Sequence, residues 1–154
     1  MAMHTWFECK IRYEKTMENG MNKKVTEPYL VDALSFTEAE ARIIEEITPF
    51  ISGEFTVSDI KRANYSELFP SDDEAADRWF KCKLVFITLD EKSGAEKKSS
   101  TQILTQAADL RDAVKKLDEG MKGTMADYQI ASVSETAILD VYPYSAEPND
   151  KPEV

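Results

Sequence analysis

Trp6-Phe7-Glu8-Cys9-Lys10-Ile11 returns 73 residues later as Trp79-Phe80-Lys81-Cys82-Lys83-Leu84. The register continues well beyond these six positions. Lys23-Lys24 meets Lys97-Lys98, and Tyr29, Ala33, Phe36 and Ala39 meet Ile103, Ala107, Leu110 and Ala113, all one residue further apart, so the intervening loop has gained a residue. After the helix the first spacing returns: Phe55, Val57, Ile60 and Leu68-Phe69-Pro70 answer to Tyr128, Ile130, Val133 and Val141-Tyr142-Pro143. A register held across half a chain reads as an internal duplication.

Each half reads as strand, strand, helix, strand. From Thr5 to Tyr13 the residues Phe7, Cys9, Ile11 and Tyr13 are apolar, while Glu8, Lys10 and Arg12 are charged, the period of a half-buried strand. Asn19-Gly20 signals a hairpin, and Tyr29, Val31 and Ala33 line one side of the returning strand. Pro28 favours an edge position, since proline donates nothing to a ladder. Ser35 with Glu38, and Asp109 with Asp112, have the spacing of helix-capping boxes. Phe36, Ala39, Ile43 and Ile47, like Leu110, Ala113, Leu117 and Met121, form single apolar stripes. Pro49 closes the first helix, and Gly120 and Gly123 loosen the end of the second. A long third strand is expected over 54–69 and 127–142, bulged near Asp59 and Ser132.

A helical crossover makes the second and third strands of each half parallel, with the first strand between them. The expected fold is therefore α+β: an internally duplicated strand–strand–helix–strand unit forming a six-stranded mixed sheet with two helices on one face. One domain spans residues 1–144, from repeats 5–70 and 78–143 and a linker, 71–77, that carries a short capped helical turn. Residues 145–154, with Pro148 and Pro152, read as a disordered acidic tail.

The chain has 154 residues, 42% of them hydrophobic, and a net charge of −10. Residues 1–70 carry eight basic against twelve acidic side chains and residues 71–144 ten against fourteen, so the acidity is spread evenly. A chain of this length buries a core without a disulfide or metal staple. It lacks an apolar run of membrane-spanning length, and its opening leads into a strand-like segment and not a signal peptide, so a cytoplasmic location is expected.

Little chemistry is available for catalysis. His4 is the single histidine and reads as a surface residue. Cys9 and Cys82 occupy equivalent inward positions without CxxC spacing and read as small buried hydrophobes. Asp72-Asp73-Glu74 with Asp77 lacks the mid-loop glycine of a calcium hand and reads as a solvated linker. Neither a phosphate-cradling glycine loop nor a nucleophile elbow is present. The expectation is a non-enzymatic protein that needs no cofactor or metal.

The Met3-His4-Thr5-Trp6-Phe7-Glu8-Cys9-Lys10 opening, the Ser35-Phe36-Thr37-Glu38-Ala39-Glu40 helix start and the closing Val141-Tyr142-Pro143 resemble an uncharacterised family of Bacteroidota genomes and their phages. That family is a domain of unknown function, and the resemblance spans about residues 3–144. It implies a bacterial or phage cytoplasmic protein, supplies no catalytic residues, and favours roles in replication, recombination or host interference.

Two binding surfaces follow from the alternation. If Phe7, Cys9 and Ile11 face the helices, then Trp6, Lys10 and Arg12 face outward, as do Trp79, Lys81 and Lys83. An aromatic beside two cations, twice, suits single-stranded DNA or RNA, whose bases stack while cations track the backbone. Lys61, Arg62, Lys23, Lys24, Lys97 and Lys98 extend the track. The alternative rests on Val85, Ile87 and Leu89, which make the outer side of the second half partly apolar and suit a protein partner or homo-oligomer.

Overall fold

A computed structural model describes residues 5–143, so His4 and the tail expectation lie outside the described residues. Strand β1, Thr5–Thr16, pairs antiparallel with β2, Asn22–Ala33, placing Phe7 opposite Val31 and Cys9 opposite Tyr29. Their turn uses Gly20 at φ +83°, a left-handed conformation that favours glycine. Ser35 then caps α1, Phe36–Ile47: its hydroxyl accepts the Glu38 N–H at 3.1 Å, and the Glu38 carboxylate accepts the Leu34 N–H at 2.5 Å. Ala39, Ile43 and Ile47 are buried on Phe7, Cys9, Ile11, Val31 and Ala33. Phe36 stays 45% exposed at the rim, its ring edge-on to Phe7 at 4.9 Å. A 3-10 turn, Thr48–Phe50, ends the helix at Pro49, and β3, Phe55–Ala63, returns antiparallel to β1.

The same order of elements recurs. Strand β4, Glu67–Phe69, precedes β5, Arg78–Leu89, which pairs antiparallel with β6, Glu96–Ala107. Helix α2, Leu110–Gly120, is capped by Asp109, and β7, Asp127–Glu135, pairs antiparallel with β5. Phe80, Cys82, Leu84, Ile103, Ala107, Ala113, Leu117 and Met121 form its core. Leu110, like Phe36, is exposed at the start of its stripe. Strand β8, Val141–Tyr142, closes the described chain. Among the described residues no helix is long and apolar enough to cross a membrane.

The chain divides into two units, one of Asn64–Ala137 and one of the described residues up to Ala63 and from Ile138 onward. The expected six-stranded sheet is corrected to two four-stranded sheets, ordered β3-β1-β2-β8 and β4-β6-β5-β7. Each helix accordingly covers one face of its own sheet, and the two do not share a face of one sheet. The first strand does lie between the second and third in each unit, as expected.

The long third strands do not run through. The chain leaves β3 at Ala63, and β4 pairs parallel with β6, while β8 pairs parallel with β2. The physical reason is the unmet backbone on the outer sides of β2 and β6. Leu30 N–H donates to Asp140 O and Leu139 N–H to Pro28 O, both at 3.0 Å, and Ser66 N–H donates to Gln102 O at 2.8 Å. Pro28 therefore sits within β2, an inner strand at that point, with its carbonyl used and no donor missed. The bulges are where the alternation shifted: Ser58 is skipped between Lys10 opposite Asp59 and Ile11 opposite Val57, and Ala131 between Lys83 opposite Ser132 and Leu84 opposite Ile130. The expected helical turn in the linker is a non-helical turn, because Ser71 and Asp73 side chains cap the Asp73 and Ala75 N–H groups.

Helix α2 ends at Gly120 and turns at Gly123, as expected, and Gly120 has a packing role besides. A Cβ there would stand 2.6 Å from Cε2 of the Phe69 ring. Gly120→Ala is expected to destabilise by about 1–3 kcal/mol through overpacking, read from the midpoint of urea unfolding. In a Phe69→Ala background the same change should cost far less. Equal costs in both backgrounds would show that the ring is not the obstacle.

Candidate functional site

Alternation along β5 puts Phe80, Cys82 and Leu84 in the core and turns Trp79, Lys81, Lys83, Val85, Ile87 and Leu89 to the helix-free side. The two expected surfaces of the second half are therefore one continuous row, cationic in the middle and apolar towards the hairpin tip. Lys81 and Lys83 are exposed, Val85 and Ile87 half-buried, and Leu89 is 68% exposed. Trp6, Lys10 and Arg12 form the corresponding row of β1 in the other unit.

The helix-free side is less open than expected. Trp79 is 5% exposed and its carbonyl accepts from both the N–H and the hydroxyl of Thr136 at 2.9 Å. Its indole is not a free stacking platform, which corrects the exposure expected of it; Trp6 is half-buried. Leu30 and Leu104, on the same sides of their sheets, are fully buried. Their signal was in the sequence: Tyr29-Leu30-Val31 and Ile103-Leu104 are consecutive apolar residues, which mark strands buried on both faces.

Register separates the two rows electrostatically. In the first unit Lys10 lies opposite Asp59, Lys61 opposite Glu8, and Lys24 opposite Glu14, so the expected cationic track alternates in sign. Arg12 stands between Thr26 and Thr56. Arg62 is on the helix side, its guanidinium 5.6 Å from the Phe7 ring centroid and 5.4 Å from that of Phe36, and does not extend the track. In the second unit Lys81 lies between Leu104 and Ser134, and Lys83 between Gln102 and Ser132. No carboxylate faces either lysine across its strand pairs.

A cleft of about 700 Å³ beside the first hairpin was not anticipated. Arg12, Tyr13, Lys24 and Phe55 line it together with Glu14 and Glu54, so its charges balance. Nothing in the spacing of these residues announced it, because the 51–54 turn that closes it comes from a distant part of the chain.

The thiols are unsuited to chemistry. Cys9 and Cys82 are free and buried, in separate cores. Burial, aided by the Glu8, Asp59 and Glu40 charges, pushes Cys9 from 9.0 up to about 12. Burial also raises Cys82, partly offset by Thr105, whose hydroxyl lies 3.6 Å from its sulfur. Reactive cysteines have depressed values instead. Among the described residues no group of three or more His, Cys, Asp or Glu is placed to hold a metal ion.

No curated protein matches the chain. A family profile described as a domain of unknown function, DUF4494, matches residues 5–144, which takes in both units and the whole β5 row. The chain belongs to the DUF4494 family.

Proposed function

We propose that this is a non-enzymatic binding protein whose β5 row, Lys81, Lys83, Val85, Ile87 and Leu89, receives an acidic and partly apolar protein segment. One observation carries the reading: two exposed lysines with no carboxylate across the strand run directly into an aliphatic strip on the same side of one strand, half-buried at Val85 and Ile87 and exposed at Leu89. Such a surface pairs charge with carboxylates and buries apolar area in the same contact. Single-stranded nucleic acid is the second reading. It is favoured by the same lysines beside the Ser132 and Ser134 hydroxyls; Trp6, Lys10 and Arg12 are the corresponding row of the first unit, taken by itself. The burial of Trp79 and the charge alternation around Lys10 count against it.

The chain is also read as an internal duplication, supported by the repeated order of elements and by bulges at the equivalent residues Ser58 and Ala131. Its setting is placed in the cytoplasm of Bacteroidota or their phages, on the resemblance of its opening and closing motifs.

The test is fluorescence anisotropy with two labelled probes, a glutamate–valine peptide whose alternate residues are two glutamates followed by two valines, separated by threonines so that all four share one face, and a single-stranded oligothymidine. The peptide should bind, and Lys81→Glu with Lys83→Glu should weaken it by about tenfold or more, a loss of about 1.4 kcal/mol. Ile87→Ser with Leu89→Ser should weaken it independently of salt. If only the oligonucleotide binds, and Lys81→Ala with Lys83→Ala lowers its salt slope by about 1.4, the nucleic-acid reading replaces the first.

A further inference from the structure

Strand β7 is the outer strand of its sheet, and among the described residues no strand pairs with its far side. Exposed edges of this kind are commonly blocked by charge or proline. Strand β3, the equivalent edge, carries Asp59, Lys61 and Arg62 in its second half. From Tyr128 to Ser134, by contrast, β7 has neither a charged residue nor a proline. Its bulge at Ala131 is its only internal guard.

Alternation says which backbone groups are open. Ser66 N–H bonds Gln102 O on the side of β6 away from β5, so Ile103 turns towards β5 and bonds Cys82. Lys81 and Lys83 then turn to Ser134 and Ser132, consistent with Thr136 N–H on Trp79 O. It follows that Val133 and Glu135 point their N–H and C=O away from the sheet. The side chains opposite the two lysines are the small Ser134 and Ser132. A four-carbon lysine stem crosses one strand spacing of about 4.8 Å, and a serine leaves it room to do so.

We infer that β7 accepts an extended segment of the partner as a fifth strand, with acidic residues two apart over Ser132 and Ser134 where Lys81 and Lys83 reach them. This rests on the protein-binding reading of the β5 row and specifies the form of the partner. Strand addition takes affinity from main-chain bonds and specificity from alternate side chains. A second copy is a poor occupant: an antiparallel β7 pair centred on Ala131 sets Asp127 against Glu135 at both ends.

The experiment uses the whole chain and three forms of the glutamate–valine peptide: unmodified, N-methylated at its odd residues, and N-methylated at its even residues. An added strand bonds through one edge only. One methylated form should lose about 30-fold or more in affinity, as for two or three lost bonds, while the other stays within about threefold. Val133→Pro, which removes an outward donor, should weaken the unmodified peptide similarly. The methylated peptides carry the test if that variant does not fold. Equal affinity of all three forms, with Lys81→Glu and Lys83→Glu still weakening binding about tenfold or more, would overturn strand addition and leave the face reading intact. Indifference to both methylation and charge would overturn both readings. A dimer in light scattering that Val133→Pro dissociates would give the edge to a second copy and overturn the proposal.

Discussion

Leu84→Ala, and Ile11→Ala at the matching position of the other unit, are each expected to cost about 2–5 kcal/mol in urea unfolding. Both side chains are fully buried, and both sit one residue past a bulge, where Ile11 faces Val57 and Leu84 faces Ile130. A strand pinned by its register on both sides closes poorly over a cavity, so the high part of that range applies. Against a total of about 5–15 kcal/mol for a native chain, such a loss decides whether the protein folds. Phe36→Ala and Leu110→Ala, at the exposed heads of the two helical stripes, should cost about 1 kcal/mol or less apiece. A cost for Phe36→Ala equal to that for Ile11→Ala would show that its edge contact with Phe7 under Arg62, and not area burial, stabilises the rim.

The local elements were legible because their causes are local. Alternation in Phe7-Glu8-Cys9-Lys10-Ile11, the Asn19-Gly20 turn and the Ser35 and Asp109 caps are each written within a few residues, and each stands where expected. Long-range partnership was not. Leu68-Phe69 and Val141-Tyr142 read as ends of long strands because periodicity reports which face a residue turns inward and nothing about which strand lies beside it. Their pairing with β6 and β2 depends on open carbonyls more than thirty residues away in sequence for β4 and more than a hundred for β8. The candidate surface divides in the same way. The outward direction of Lys81, Lys83 and Val85 followed from the period of two. The burial of Trp79, and the acids opposite Lys10 and Lys24 but not opposite Lys81, are consequences of register.

Alkaline conditions should destabilise this chain earlier than its composition suggests. Cys9 has an ordinary value of 9.0 and is pushed up to about 12 in the folded protein, chiefly by burial. Between those values the unfolded chain releases a proton that the folded chain retains, so stability falls as pH rises. The contribution is complete below pH 9 and is lost on the way to about 12, at about 1.4 kcal/mol per pH unit for each proton withheld. Cys82 is raised as well. Above pH 10 the tyrosines join in: Tyr142 is raised from 10.0 to about 12, and Tyr13 and Tyr29 are raised by burial and by Glu27, whose carboxylate accepts both hydroxyls at 3.0 and 3.2 Å. Urea midpoints should therefore hold steady to about pH 8.5 and then fall with a slope that steepens past pH 10. Cys9→Ala should make the whole fall shallower, most visibly in its first part, and leave the steepening past pH 10. A thiol reagent supplies the independent check, since both cysteines should react at mild alkaline pH only at the rate of unfolding. Rapid labelling of the folded protein, or an unchanged slope in Cys9→Ala, would mean that water reaches Cys9 between β1 and α1 and that the first core opens there.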